Sequence, residues 1–359
     1  MAIKIDNNFI NIYFPFMSKK DWAGLKFKLM QEIGECIDII FIKDKLNSLP
    51  SESPKFFLRS HEKSDGLSSF IDLLKVQYSQ KEIVIPKLNV KNKPSFFKRI
   101  LLAKKHVARQ SYTKYKWQKF DKNVKGVSDG IAYMYFNKDE SDLIKEFCKC
   151  NKINTNSFLL STLDVTTLTL LDPNATNDRR KWMVPVNIRM PGEDATGNYV
   201  TTLTIFSNGI QSSKQFYEQI KEQLKSGIVW GGRIVANAPK YLGERGLRFF
   251  GKRMKSPFIG VCSNLGAWPV DKISIDEDFQ WLVASPITSF CPVAVVILEW
   301  EDRIGITLQL HKSICENSES SKTFMEQWKS NIQKESSIEI SPTLKYVKWA
   351  DVVSNSERF

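Results

Sequence analysis

Apolar positions along the chain fall into two rhythms. Residues 67–78 set Leu67, Phe70, Ile71, Leu74 and Tyr78 on one face of a helix. Residues 20–33 do the same with Trp22, Leu25, Leu29 and Ile33. Residues 8–17 alternate loosely, as a strand does, and residues 36–43 form a continuous apolar run that predicts a buried strand. After a Ser/Pro-rich turn at 48–54, Phe56, Phe57 and Leu58 predict a short strand running into Arg59, Ser60 and His61. A lysine-rich stretch over 91–125 is predicted to turn helical after Pro94, and residues 131–136 predict a strand.

The pattern then starts afresh. A helix is predicted at 139–150, and Thr155-Asn156 signals another helix start before the apolar run 158–171. Strands are predicted at 182–188 and 199–206, a helix at 213–226, buried strands at 258–263 and 293–299, an alternating strand at 304–310 and a closing helix at 321–334. No fixed period relates these elements, which excludes a repeat architecture. The break near 125–137 divides an α+β chain into an N-terminal half, residues 1–130, and a C-terminal half, residues 131–359.

Composition narrows the class. Hydrophobic residues make up 42% of the chain and charged residues 25%, a globular balance that excludes a wholly disordered or collagen-like protein. The strongest apolar runs, such as 291–298, fall far short of the ~18–20 residues of a membrane span, and residues 1–8 offer no signal-peptide core. The expectation is a cytoplasmic protein that touches a membrane only peripherally, at its inner face. Six scattered cysteines and three histidines (61, 106, 311) lack the paired spacing of a zinc site, so reduced, buried thiols are expected.

The net charge of +13 is concentrated. Residues 91–125 hold twelve Lys/Arg, among them Lys98, Arg99, Lys104, Lys105 and Arg109, against the single acid Asp121. A smaller cluster over 240–255 includes Lys252 and Arg253. Such localisation suits a polyanion (nucleic acid, anionic lipid, an acidic carrier protein or a phosphorylated cofactor) or simply a solubilising face. Phe96, Phe97, Ile100, Leu101, Ala103, Val107 and Ala108 gather mostly on one helical side, with Lys98, Lys105 and Arg109 opposite. A basic amphipathic segment of this kind fits an anionic membrane, and its interleaved aromatics also fit single-stranded nucleic acid. The alternative is that the apolar side packs on the core and only the lysines meet water.

The sharpest local feature is the segment 60–66, Ser-His-Glu-Lys-Ser-Asp-Gly. A histidine at a strand end can project its ring into a cleft. An Asp four residues on, followed by Gly for a tight turn, can lock the loop that holds it. The competing reading is a surface loop. His106, among lysines, reads as part of a solvated face, and His311 as an ordinary strand-edge histidine.

Segment 60–66 resembles the His-His-x-x-x-Asp-Gly signature of the chloramphenicol-acetyltransferase-like acyltransferase superfamily, which includes condensation domains and wax ester synthases. Ser60 stands in place of the first histidine. Further segments are similar to that family in the same order: 153–160, 184–189 with Arg189, 197–203 with Asn198 and Thr201, and the Ser263-Asn264-Leu265-Gly266 turn. The resemblance implies two pseudo-equivalent α+β halves of mixed sheet and helices, with an active-site tunnel between them. It implies acyl transfer from a thioester, on acyl-CoA or an acyl-carrier protein, to the hydroxyl or amine of a small-molecule or lipid acceptor. No bound cofactor or metal is implied, and nucleic acid is not the favoured partner. His61 would be the general base. Asp65 would be structural, paired with Arg189 and followed by Gly66. Donors to the oxyanion would come from Ser60, Asn198, Thr201, Ser263 or Asn264. The other class of protein that fits is a catalytically inactive relative that binds lipid or another polyanion through its basic patch.

Overall fold

A computed structural model describes residues 30–32, 35, 37–46, 53–78, 93–109, 113, 115–121, 124, 128–189, 198–237, 258–268, 279–317 and 319–359. The strand expected at 8–17, most of the helix expected at 20–33, and the basic residues Lys252 and Arg253 lie outside the described residues.

In chain order the elements are β1 (Asp38–Lys45), β2 (Lys55–Ser60), α1 (Gly66–Tyr78), α2 (Phe96–Arg109), β3 (Gly130–Tyr135), α3 (Lys138–Cys150), α4 (Thr155–Thr167), β4 (Arg180–Asn187) and β5 (Val200–Ser207). There follow α5 (Ser213–Ser226), α6 (Ile228–Asn237), β6 (Gly260–Trp268), β7 (Phe279–Ala284), β8 (Val293–Trp300), β9 (Arg303–Leu310), α7 (Ser320–Ser336), β10 (Thr343–Lys348), α8 (Trp349–Ser354) and β11 (Ser356–Arg358). The architecture is α+β with two sheets. The smaller runs β11-β2-β1-β7 and the larger β10-β3-β9-β8-β6-β4-β5. Both sheets are mixed: β11 joins β2 in parallel, and β6 lies parallel to β4 and to β8. The boundary drawn near residue 130 falls at the start of β3, the first strand of the larger sheet. The smaller sheet also takes β7 and β11 from beyond it.

Local chemistry explains the element ends. α3 opens with a capping box between Asn137 and Glu140, and α5 with one between Ser212 and Gln215. α4 is capped by Asn154, whose side chain accepts from Ser157 N, rather than by the Thr155-Asn156 pair that the sequence suggested. Pro185 is tolerated inside β4 because β6 pairs with that strand only at Trp182 and Met183.

Two buried arrangements tie the elements together. Phe70 of α1 stacks on Phe41 of β1 and meets Trp268, Trp281 and Trp300 of β6, β7 and β8 edge-on. Full burial of one such aromatic is worth roughly 1.5–3 kcal/mol, so α1 is fixed against strands of both sheets. At β4, Arg180 donates to Asp164 of α4 through Nη2 (2.6 Å) and Nε (3.2 Å). Trp182 Nε1 (2.7 Å) and Ser207 Oγ (2.9 Å) donate to the same carboxylate. This anchors the strand that leads into Arg189. No helix among the described residues is long and apolar enough to cross a membrane.

Candidate active site

β2 ends at Ser60, and residues 61–63 form the turn that leads into α1. Three hydrogen bonds shape that turn. His61 N donates to Ile37 O (3.1 Å), Lys63 N to Ser60 O (3.1 Å), and Glu62 N to Ser60 Oγ (3.4 Å). Ser60 therefore caps the turn that presents His61, whose side chain is half-buried.

Asp65 is buried at the N-terminus of α1. Its Oδ1 accepts from Ser68 N (2.9 Å), which caps the helix. The same carboxylate receives Arg189 Nη2 on both oxygens (3.0 and 2.8 Å) and Tyr199 N on Oδ2 (2.8 Å). Arg189 Nη2 also donates to Ser68 Oγ, and Nη1 to Asn187 Oδ1 (3.1 Å). Asp65 and Arg189 are 1% and 2% exposed, so neither charge has recourse to water and each depends on the other. Asn198 adds a further tie, its Nδ2 donating to the His61 carbonyl (3.4 Å). The turn from the smaller sheet is thus clamped by residues flanking β4 and β5 of the larger one.

Tyr199 and Ser68 are parts of this clamp that sequence reading missed. Tyr199 acts through its backbone N–H, which leaves no side-chain signature. Two guanidinium groups lie near its ring, Arg189 at 5.1 Å and Arg233 at 5.3 Å from the centroid.

The other expected residues are placed less uniformly. The Ser263–Gly266 segment forms a bulge in β6, and Leu265 Cδ2 lies 3.7 Å from where a Cβ on Gly66 would stand, so the segment reaches the start of α1. Ser263 is half-buried. Asn264 is exposed, and its Oδ1 is occupied by Gly266 N (2.7 Å). Thr201 is buried under α6 instead: a Cβ on Gly232 would meet Thr201 Oγ1 at 2.3 Å and His106 Cε1 at 3.0 Å. Gly66, which the sequence suggested for a tight turn, does not take a positive φ. It is the first residue of α1, and among the described residues the positive-φ glycines are Gly209, Gly227 and Gly266.

Both competing histidines also differ from expectation. His106 is buried, and desolvation pushes its pKa below the ordinary value. It faces inward because α2 turns Leu102 and His106, not its broader apolar stripe, toward α6. His311 is fully buried after β9. Its Nδ1 accepts from Ser313 N (3.2 Å) and lies 2.7 Å from Ser313 Oγ. A ring nitrogen that accepts a backbone N–H carries no proton, so the proton sits on Nε2, 3.6 Å from Glu35 Oε2. Burial pushes the Glu35 carboxyl up, but the nearby His311 ring and hydrogen bonds from Ser289 outweigh it and hold the group below its ordinary value. Ser313, His311 and Glu35 are all buried.

Burial pushes the thiols of Cys148, Cys262 and Cys315 up to about 12, which removes them as nucleophiles near neutral pH. Among the described residues no three His, Cys, Asp or Glu side chains gather as a metal site. A cavity of about 310 Å³ lined by Tyr135, Asn137, Glu140 and Arg303 takes none of its lining from the His61 turn.

No protein-family model matches the sequence, and none of the curated proteins does. Solved structures do match in shape. The condensation domain of the Monacolin K polyketide synthase MokA superposes with a TM-score of 0.51 at 12% identity, covering 78% of this chain and 69% of that one. The cyclization-docking bidomain of the nonribosomal peptide synthetase EpoB from Sorangium cellulosum gives a TM-score of 0.51 at 12% identity, covering 78% of this chain and 59% of that one. The chain therefore has the condensation-domain, chloramphenicol-acetyltransferase-like fold.

Proposed function

We propose that the protein is an acyltransferase that moves an acyl group from a thioester to a hydroxyl or amine, with His61 as general base. The observation that carries this reading is the clamp on the His61 turn. A loop histidine with no task does not need a buried ion pair, a helix cap, a backbone N–H and an amide all fixing the turn that bears it. Such rigidity is what a base requires, since proton transfer depends on a heavy-atom approach of about 2.6–3.2 Å.

In the proposed reaction the imidazole takes the proton of the acceptor O–H or N–H as that atom attacks the thioester carbonyl carbon. The carbonyl oxygen takes up negative charge in the tetrahedral intermediate. Ser60, Asn198, Ser263 and Asn264, near the turn or the start of α1, are the residues from which its donors would come. The C–S bond then breaks, and the departing sulfur takes the proton from the imidazolium. Neither Asp65 nor Arg189 touches substrate in this scheme; they are positioning residues. The thioester is carried by an acidic acyl-carrier protein or by coenzyme A, either of which suits a chain of net charge +13. Donor and acceptor reach His61 through the space between the two halves, which meet at the Asp65–Arg189 pair. The fold likeness to condensation domains supports this reading.

The test is thiol release from a panel of acyl-CoAs and acylated carrier proteins, with alcohol and amine acceptors, by wild type and His61→Ala. The expected result is release that depends on His61, lost by about 10²–10⁴-fold in the variant. Equal release by both proteins rules out His61 as the base. Silence from both across the panel favours the non-catalytic reading.

A further inference from the structure

α2 is mounted the wrong way round for a helix that only packs on a core. It buries Leu102 and His106 and leaves its larger apolar stripe in water. Phe97 is 79% exposed, Leu101 62%, Phe96 59%, Val107 54% and Ile100 42%. Other large exposed apolar residues, such as Val76, Leu143, Ile210 and Val353, stand singly on separate elements. The orientation is imposed from beneath. Gly231 and Gly232 of α6 open a notch into which α2 is pressed, so closely that a Cβ on Gly231 would meet the Leu102 backbone carbon at 2.2 Å.

The charge on this helix is of one sign. Residues 96–109 contain no acid, and Lys98, Lys104 and Lys105 are exposed. Lys98 and Lys105 lie two turns apart on one flank of the apolar stripe, and Lys104 lies within it, on a stem long enough to lift its ammonium clear. Arg109 is turned aside to Glu222 on α5 (3.1 Å).

From this arrangement we propose that α2 docks the protein on an anionic phospholipid bilayer. Its outward stripe enters the headgroup boundary, and Lys98, Lys104 and Lys105 engage lipid phosphates and carboxylates. A helix of this length presents about 21 Å of contact along its axis, and an interfacial helix settles about 5–10 Å into the surface, deep enough to cover Phe97 and Leu101. A nucleic acid would satisfy the lysines and leave the phenylalanines wet. A second copy would cover the phenylalanines and set lysine against lysine, with no acid on the helix to relieve them. An anionic surface with an apolar interior answers both features. The proposal is independent of whether the His61 site is active.

The test is co-sedimentation of the full chain with vesicles of phosphatidylcholine alone and of phosphatidylcholine with phosphatidylserine at three to one, in near-physiological salt. Wild type should pellet with the anionic vesicles and much less with the neutral ones, and molar salt should weaken the binding. Lys98→Gln/Lys105→Gln should weaken anionic binding roughly 25-fold, about fivefold per lysine. Phe97→Ser/Leu101→Ser should weaken it roughly a hundredfold. All four positions are exposed, so circular dichroism and the melting temperature should stay at wild-type values. The proposal is overturned if wild type ignores anionic vesicles, or if Phe97→Ser/Leu101→Ser binds as wild type does. It is equally overturned if wild type is an oligomer in solution that those serines dissociate, for then the stripe is a self-interface.

Discussion

Replacing Asp65 with alanine removes the partner of a buried guanidinium, the cap of α1 and the acceptor of Tyr199 N at once. Breaking one side of a buried ion pair costs about 3–5 kcal/mol, because the remaining charge has neither an opposite charge nor water to offset its burial. The lost cap, worth about 1 kcal/mol alone, is part of that figure rather than an addition, since one carboxylate serves both roles. Arg189→Met should cost a similar amount and strand the Asp65 carboxylate instead. The informative variant is the double, in which no charge is left unpaired. It should be more stable than the sum of the singles by about 2 kcal/mol or more. Urea unfolding followed by tryptophan fluorescence is a suitable assay, because Trp268, Trp281 and Trp300 surround Phe70 on the helix that Asp65 caps. The pair is sealed from solvent, so the coupling should persist in high salt, where a surface pair fades. Additive single costs, or singles costing under about 1 kcal/mol, would refute the clamp as the element that fixes the His61 turn.

Three further outcomes follow from the geometry. Gly66→Ala should be neutral or stabilising by up to about 1 kcal/mol in thermal unfolding, since the helix start is in ordinary backbone space and the new methyl meets only Leu265 at van der Waals distance. Gly231→Ala, which helix propensity alone would favour, should instead destabilise and expose α2 to limited proteolysis, because the methyl has no room against the Leu102 backbone. His106 should contribute a loss of stability as pH falls below 6.5, the ordinary value for histidine. In that range the unfolded chain protonates His106 while the folded one, its pKa lowered by burial, does not. The decline should be shallower in His106→Asn, measured by melting temperature against pH.

Most of the fold was legible because most elements carry a periodic apolar face. β1, α1, β3, β8 and β9 stand within two residues of the expected positions. The elements that escaped lacked that signal for identifiable reasons. α6 carries Gly231 and Gly232 at its centre, which reads as a break, yet those glycines exist to admit α2. β7 is a six-residue run whose place beside β1 is a long-range fact that no local pattern encodes. The apolar stripe of α2 was visible, but its direction was not. Periodicity reveals that a helix has two faces; a steric notch on another helix decides which one turns inward. In the site, the ring of residues 60–66 was readable as chemistry, whereas Tyr199 contributes through its main chain and so carries no side-chain signal.

β1 lies between β2, ten residues downstream, and β7, whose last residue is Ala284. About 240 residues separate the end of β1 from that partner. At roughly 5–20 residues per second of translation, one edge of β1 waits on the order of 10–50 s for its neighbour to be made. During that interval its unpaired N–H and C=O groups, flanked by Ile40, Phe41 and Ile42, form an adhesive edge. Tyr199, whose N–H binds Asp65, is also made long after it, so the turn bearing His61 is set late in biogenesis. Production of this protein should therefore respond to chaperones that shield strand edges, and to codon choice over residues 46–278, more than to the stability of the finished molecule.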